Sequence, residues 1–535
     1  MTTPAAARTA LIGGLVADGS GAEPRLADVL LSEGRIEAVV STAERPAEGY
    51  DAAVIDCAGR VVAPGFVDIH CHSDISLLAY PGNASRVTQG VTTEVVGNCG
   101  MSPAPGNADP AGLAAIISTI NVTPDFAWTW NDLPGWLDAL EEAATATNVA
   151  AQVGHGSARF SVTGVSTAEL DSAQLAQLER ELEAAFDAGV VGASVGLMYA
   201  PGESARRAEL ERVARVVARR GGVLSAHLRD YRPSHEFAAI DEVAEPAACV
   251  GARVQISHLR GVGDEGDFGA VLDHVEELRR GGDVAADLYP YVHGHTTLLQ
   301  LLPSELRALG PEAVVEACRS EPRRVAELLR RTGHSNEQII VMKAAKTPGA
   351  VGHDLNAAPG DPFAWLVELL VANDGMVDVA VESGRWADVD AAFARAWVSV
   401  ASDGTALEAS HTASAAHPRS WGAFSAGYRR LRDNGVAIGE VVRRMTTGPA
   451  SRVGLQSGIA PGRRADLVVL DDALFDSAAT FAAPASPSVG LDHVYVNGVA
   501  VLESGRQTAA RPGALIRGPQ TAARASVLSR EVSDV

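Results

Sequence analysis

The chain has 535 residues, and its Asp plus Glu (66) outnumber its Lys plus Arg (44), for a formal net charge of −22 at pH 7. Hydrophobic residues are 47% and charged residues 21%, which fits a folded globular protein and excludes intrinsic disorder. The acidic excess argues against general nucleic-acid binding and against adsorption to anionic membranes, so neither is expected as a partner.

The length exceeds one ordinary core and calls for two domains or one large α/β barrel with additions. Five scattered cysteines (Cys57, Cys71, Cys99, Cys249, Cys318) are too few for a disulfide framework and point to a reducing compartment. The N-terminal MTTPAAARTALIGGLVADGSG is only briefly apolar and reads as a strand rather than a signal peptide. No stretch reaches the ~18–20 apolar residues of a membrane span, so a cytoplasmic location is expected.

In chain order, residues 1–60 read as short strands joined by turns, with strand patterns at Thr9–Ala17 and Ala27–Leu31 and a turn at Glu33-Gly34-Arg35. Residues 61–450 alternate strands and helices. Apolar strand candidates are Val61–Ile69, Val91–Val96, Val149–Val153, Val190–Val195, Val223–Ala226, Arg253–Ser257, Asp283–Leu288 and Trp397–Ala401, the pattern of parallel strands buried on both faces. Leu170, Ala173, Leu178, Leu182, Ala185 and Phe186 follow helical spacing, with a capping box expected at Ser166 and Glu169 and a stop at Gly189. Leu210, Val213 and Val217 mark another helix before Gly221-Gly222. Eight strands with intervening helices predict a (β/α)8 TIM-type barrel. The connection over residues 289–396 is too long for a bare loop and must carry its own structure or act as a lid. Residues 451–518 return to strands, with a hairpin signal at Asn497-Gly498, so both termini are expected to build one small β-sandwich domain. Residues 519–535 are a polar, loose tail by composition.

The chemistry-bearing residues fall at predicted strand ends. His70 and His72 in PGFVDIHCHSD share a direction, with Cys71 between them facing the other way as a packing residue. At a barrel mouth two such imidazoles make a metal half-site, although two histidines at a strand end could equally make ordinary hydrogen bonds. Cys99 ends the second strand, His227 the fifth and His258 the sixth; a thiolate and two imidazoles suit zinc. Asp403 ends the eighth strand, where a carboxylate can ligate metal or shuttle protons, though SDG also suits a turn or helix cap.

These segments resemble the metal-dependent amidohydrolase superfamily, and within it the N-acyl-D-amino-acid deacylases (D-aminoacylases). The likeness rests on HxH after PGFVD, on GVTTEVVGNCG, on the two later strand-end histidines, and on SDG followed by HPR. It extends over nearly the whole chain, including GIAPGRRADLVVLD and VYVNGVAV near the C-terminus. The resemblance implies a tight zinc on Cys99, His227 and His258, and a weaker second metal on His70 and His72 with Cys99 bridging. It implies Asp403 as general base and acid, and Arg260, Tyr291 and Arg419 as substrate contacts; His295, just after Tyr291 at the mouth, is a further candidate substrate contact that the family pattern does not supply. Only Lys343 and Lys346 are lysines, both inside the long connection, so a carboxylated strand-end lysine of the dihydropyrimidinase kind is disfavoured.

Three features depart from the family pattern. Arg260 stands where a lysine is usual, His293-Gly294-His295 replaces small residues, and the loop from Asp403 to Arg419 is long and contains His411 and His417. The expected activity is zinc-dependent hydrolysis of the linear amide of an N-acyl-D-amino acid, a small-molecule substrate. The alternatives are an N-acyl-L-amino acid or Nε-acyl-lysine deacylase, and a cyclic amidohydrolase of the hydantoinase type.

Overall fold

The computed structural model describes residues 8–106, 109–117, 128–263, 266–303, 306, 311–408 and 417–518. The expected tail, residues 519–535, and His411 lie outside them.

Eight strands form one sheet whose order follows the chain: Phe66–Asp68, Val91–Val96, Asn148–Gly154, Gly192–Gly196, Val223–His227, Arg253–Ile256, Val284–Leu288 and Val398–Val400. Each strand runs parallel to its neighbours, as expected of strands carrying Val, Ile and Ala on both faces. The ends of the first and eighth strands are tied by Asp403 N donating to His70 O (2.8 Å) and His72 N to Gly404 O (2.7 Å), which nearly closes the barrel. Helices Ser172–Ala188, Arg207–Arg220, Pro233–Val250 and Phe268–Gly281 connect consecutive strands. Each turns an apolar stripe inward; Leu178, Leu182, Val213 and Val217 are fully buried.

Two local expectations are corrected. The apolar run 61–69 is two strands: Val61–Pro64 pairs with Val16 and Leu467–Leu470 in the terminal sheet, and only Phe66–Asp68 enters the barrel. The helix after residue 164 is capped by Asp171 with Gln174, not by Ser166 with Glu169. Arg159 Nη2 takes the carbonyls of Ala168 (2.5 Å) and Ser166 (3.5 Å), so that stretch is held out of helical pairing.

Strands from both ends of the chain join in a nine-stranded sheet, with Val61–Pro64 bridging the N-terminal and C-terminal halves. Leu11, Val29, Ile36, Val62, Leu467 and Val469 form its inner core. Asn497-Gly498 joins Leu491–Val496 to Val499–Glu503 as an antiparallel hairpin.

The long connection carries a third sheet, in which Val377–Glu382 pairs antiparallel with both His293–Thr297 and Ile339–Ala344. Helices Pro311–Ser320, Pro322–Arg330 and Pro362–Ala372 pack on it, and Leu298, Val341, Leu366, Leu370 and Val379 give it a core of its own. Among the described residues no helix is long and apolar enough to cross a membrane.

Candidate active site

The side chains gather at the C-terminal ends of the barrel strands, where loops from several strands converge. Cys99 Sγ lies 3.3 Å from His227 Nδ1, 3.7 Å from His258 Nε2 and 3.4 Å from His70 Nε2. His227 Nδ1 and His258 Nε2 are 3.0 Å apart. A tetrahedral zinc with bonds of about 2.0 Å to nitrogen and 2.3 Å to sulfur holds its ligand atoms roughly 3.3–3.6 Å apart. The Cys99–His227–His258 triangle is close to that size, and the N,S donor set suits zinc. His70 and His72 share Cys99 in a second group of three, as the i,i+2 spacing predicts; Cys71 turns away to Val95 O (3.4 Å).

Asp403 faces this cluster from the eighth strand. Its Oδ1 lies 3.0 Å from His72 Nε2 and 3.5 Å from His70 Nε2, and its Oδ2 accepts from Arg419 Nη1 at 2.7 Å. Burial alone would push the Asp403 carboxyl up, but Arg419 and then His72 hold it well below the usual carboxylate range. Burial likewise opposes ionisation of Cys99, yet the charges of His70 and His227 pull its thiol well below the ordinary value.

The backbone is bent to make these contacts. Cys99, His258 and Asp403 have φ of 52°, 35° and 49°, left-handed values that cost non-glycine residues of order 1 kcal/mol or more. Three such residues at three strand ends mark a site that the surrounding fold over-determines. The glycines of GNCG have a packing role: a Cβ at Gly100 would lie 2.4 Å from Gly196 N, and one at Gly196 would lie 1.9 Å from Cys99 O. The Cys99 turn can therefore reach the mouth only across bare backbone.

A cavity of about 420 Å³ opens beside the cluster, with Cys99, His227, His258 and Asp403 in its wall. The sheet of the long connection roofs it with His295, Thr296 and Val381. Arg260 and Arg419 sit over the ring of Tyr289, 5.4 and 4.9 Å from its centroid. Arg260 Nε and Nη1 are buried without a hydrogen-bond partner, and Gly294 makes room for the guanidinium, since a Cβ there would approach Nη2 to 2.6 Å.

A model of the amidohydrolase family matches residues 53–299 and 394–502. The chain belongs to the amidohydrolase family. It is 32% identical to the N-acyl-D-glutamate deacylase of Alcaligenes xylosoxydans xylosoxydans over 97% of this chain and 98% of that protein. It is 30% identical to the D-aminoacylase of the same organism over 95% of this chain and 96% of that one. Among solved structures it resembles an N-acyl-D-glutamate deacylase from Bordetella bronchiseptica complexed with zinc and a phosphonate mimic of the tetrahedral intermediate. That likeness has a TM-score of 0.79 at 30% identity and covers 96% of this chain and 100% of the other.

Within this amidohydrolase barrel, the expected positions fall out as follows. His70, His72, Cys99, His227, His258 and Asp403 converge on one cluster. Arg260, Arg419 and His295 line the adjoining cavity. Tyr291 is not among its lining residues: it turns toward the helix Arg419–Asp433, where a Cβ at Gly422 would come within 2.9 Å of its hydroxyl. Tyr289 takes that place at the wall and went unnoticed in the sequence, as did Tyr199 and Tyr231. His417 is buried behind the wall, its Nδ1 accepting from Arg419 N at 3.0 Å.

Asp287, on the seventh strand, also escaped notice. Its Oδ1 accepts from His70 Nδ1 (3.1 Å) and His258 N (2.8 Å), while Oδ2 accepts from Gln255 Nε2 (2.9 Å). One buried carboxylate thereby fixes two of the imidazole-bearing segments. Asp287→Asn is expected to weaken metal affinity about 10- to 100-fold without loss of fold, read by zinc competition against a chelator. Wild-type affinity in that variant would remove Asp287 from any role in holding the cluster.

Proposed function

We propose that the chain is a zinc-dependent deacylase that hydrolyses the linear amide of an N-acyl-D-amino acid, releasing a carboxylate and the free amino acid. The observation that carries this reading is the buried convergence of Cys99, His227 and His258 beside the Asp403 carboxylate and the unpartnered Arg260 guanidinium. It is supported by full-length likeness to proteins named N-acyl-D-glutamate deacylase and D-aminoacylase.

Cys99, His227 and His258 would hold the tight zinc, and His70 and His72, sharing Cys99, a weaker second ion. When bound, zinc supplies Lewis-acid polarisation of the scissile carbonyl and lowers the pKa of water toward ~7. Asp403 accepts the proton of the attacking water and delivers it to the departing amine nitrogen. Arg419 keeps that carboxylate ionised and aimed, through the 2.7 Å contact to Oδ2. Arg260 grips the substrate's free carboxylate with its open donors. Both guanidiniums lie over the Tyr289 ring, which helps to position them. The roofing sheet shields the reacting centre from bulk water. All five cysteines are unpaired thiols, which supports a reducing, cytoplasmic setting.

The test is amine release by zinc-replete enzyme from paired N-acetyl-D- and N-acetyl-L-amino acids, with Nα- and Nε-acetyl-lysine included. Turnover confined to D-Nα substrates is expected; turnover only of L or Nε substrates would overturn the stereochemical assignment. Arg260→Ala is expected to raise KM about 10- to 100-fold, since a charge-assisted hydrogen bond contributes about 1.5–3 kcal/mol. An unchanged KM for every carboxylated substrate would dismiss the grip.

A further inference from the structure

We infer that the amino-acid side chain accepted by this site is uncharged, so that neutral N-acyl amino acids are turned over in preference to glutamate and aspartate derivatives. The inference rests on the deacylase reading and concerns the cations that the cavity can offer. An N-acyl derivative of leucine or methionine brings one carboxylate; one of glutamate brings two. A second carboxylate enters such a cavity cheaply only if a cation or several donors meet it.

Among the described residues that line the cavity, four are arginines, and three of them are already engaged. Arg229 gives Nε and Nη2 to Glu242 and Nη1 to the Glu203 carbonyl (2.6 Å). Arg232 is paired with Asp230 at 2.5 Å. Arg419 is paired with Asp403 at 2.7 Å. Arg260 alone has buried donors without a partner. Glu236, whose charge would act on Arg260, is fully buried, and burial followed by Asp230 pushes its carboxyl well above the usual carboxylate range. Neither of its oxygens bonds Arg260, so one open cation matches one carboxylate.

The remaining wall combines apolar and aromatic surface with the uncharged polar side chains Thr296, Gln300 and Ser383, and adds no cation. Tyr199, Tyr231, Val262, Leu301 and Val381 face the cavity. Its two roof imidazoles are held toward the neutral form: burial and then Arg419 push His295 down to about 3, and burial lowers His334. Lys343 lies in the same roof and its charge reaches His295, but it is not a lining residue, and the sheet register sets it opposite Asp378. A volume of about 420 Å³ takes an acyl group together with a leucine-, methionine- or phenylalanine-sized side chain.

The experiment compares kcat/KM of zinc-replete enzyme for N-acetyl-D-leucine, -methionine and -phenylalanine with N-acetyl-D-glutamate and -aspartate. The neutral series is expected to lead by about 100-fold or more, as for a site that leaves a buried polar group unpaired. Binding of the free products gives a readout apart from turnover: calorimetry should detect D-leucine or D-methionine at concentrations where D-glutamate is silent. Thr296→Arg, which adds a cation to the roof, should narrow the ratio at least tenfold. Equal or better turnover of glutamate, or a ratio that Thr296→Arg leaves untouched, would overturn the inference while leaving the deacylase reading standing. If only the L series is turned over, the same ratio is read there. Absence of turnover on every Nα-acyl amino acid would bring down the deacylase reading and this inference with it.

Discussion

Cys99→Ala is expected to abolish tight zinc binding and to lower kcat/KM by about 10³-fold or more, since metal polarisation of a carbonyl supplies several kcal/mol of transition-state stabilisation. The sulfur lies within 3.7 Å of three imidazole nitrogens, those of His70, His227 and His258. Without it neither group of three that contains it survives. The left-handed φ of 52° separates metal loss from folding: Cys99→Gly removes the sulfur and relieves the backbone, so it should be the more stable of the two and equally empty of zinc. Cys71→Ala is the matched control: a buried thiol between His70 and His72 that turns away from the cluster, with its Sγ at the Val95 carbonyl. It should keep full zinc content. Zinc stoichiometry by elemental analysis decides the matter, and unchanged content in Cys99→Ala would remove the cysteine from the ligand set.

The barrel was legible because parallel strands buried on both faces leave unbroken apolar runs, and seven of its eight strands fall within a few residues of those runs. The eighth case shows the limit. Residues 61–69 are apolar throughout, yet they serve two sheets, because Val61–Pro64 is needed by Leu467–Leu470. Hydrophobicity reports burial, not which partner does the burying. The capping residue was misread for a similar reason. Ser166 and Asp171 both carry a box signature, and the choice lay with Arg159, a residue whose contact to the Ala168 carbonyl no local pattern reveals.

The clustered histidines and Cys99 were legible because they stand at strand ends, where alternation and barrel geometry limit the directions available. Tyr291 and Tyr289 mark where that argument stops. The strand ends at Leu288, and Pro290 breaks the alternation between the two rings, so Tyr289 lines the cavity and Tyr291 leaves it. Asp287 could have been found: a carboxylate in the middle of an otherwise apolar, fully buried strand requires a strong partner, and here it has three. The pairing of Arg419 with Asp403 could not, because their juxtaposition depends on a loop whose path the sequence does not encode locally.

Asp403→Asn is expected to retain zinc and fold while kcat falls about 10²–10⁴-fold, the usual contribution of a positioned general acid–base group. The variant keeps the size and the left-handed turn of the native residue, since asparagine tolerates φ near 49° as well as aspartate does. It also keeps an oxygen for either Arg419 or His72, but not for both, so the amide must give up one of the contacts at 2.7 and 3.0 Å. What it cannot do is accept a proton from water. If Arg260 is what grips the substrate, affinity should move little, so the loss should fall on kcat rather than on KM. Arg419→Lys separates proton transfer from positioning. It preserves the charge beside Asp403 but not the planar fork over Tyr289, and should cost less than Asp403→Asn if Arg419 only orients the carboxylate. Full activity in Asp403→Asn with zinc bound would reject the carboxylate as the proton carrier. A loss of zinc equal to the loss of rate would make Asp403 a metal ligand first, a role its place in the His70–His258–Asp403 group allows.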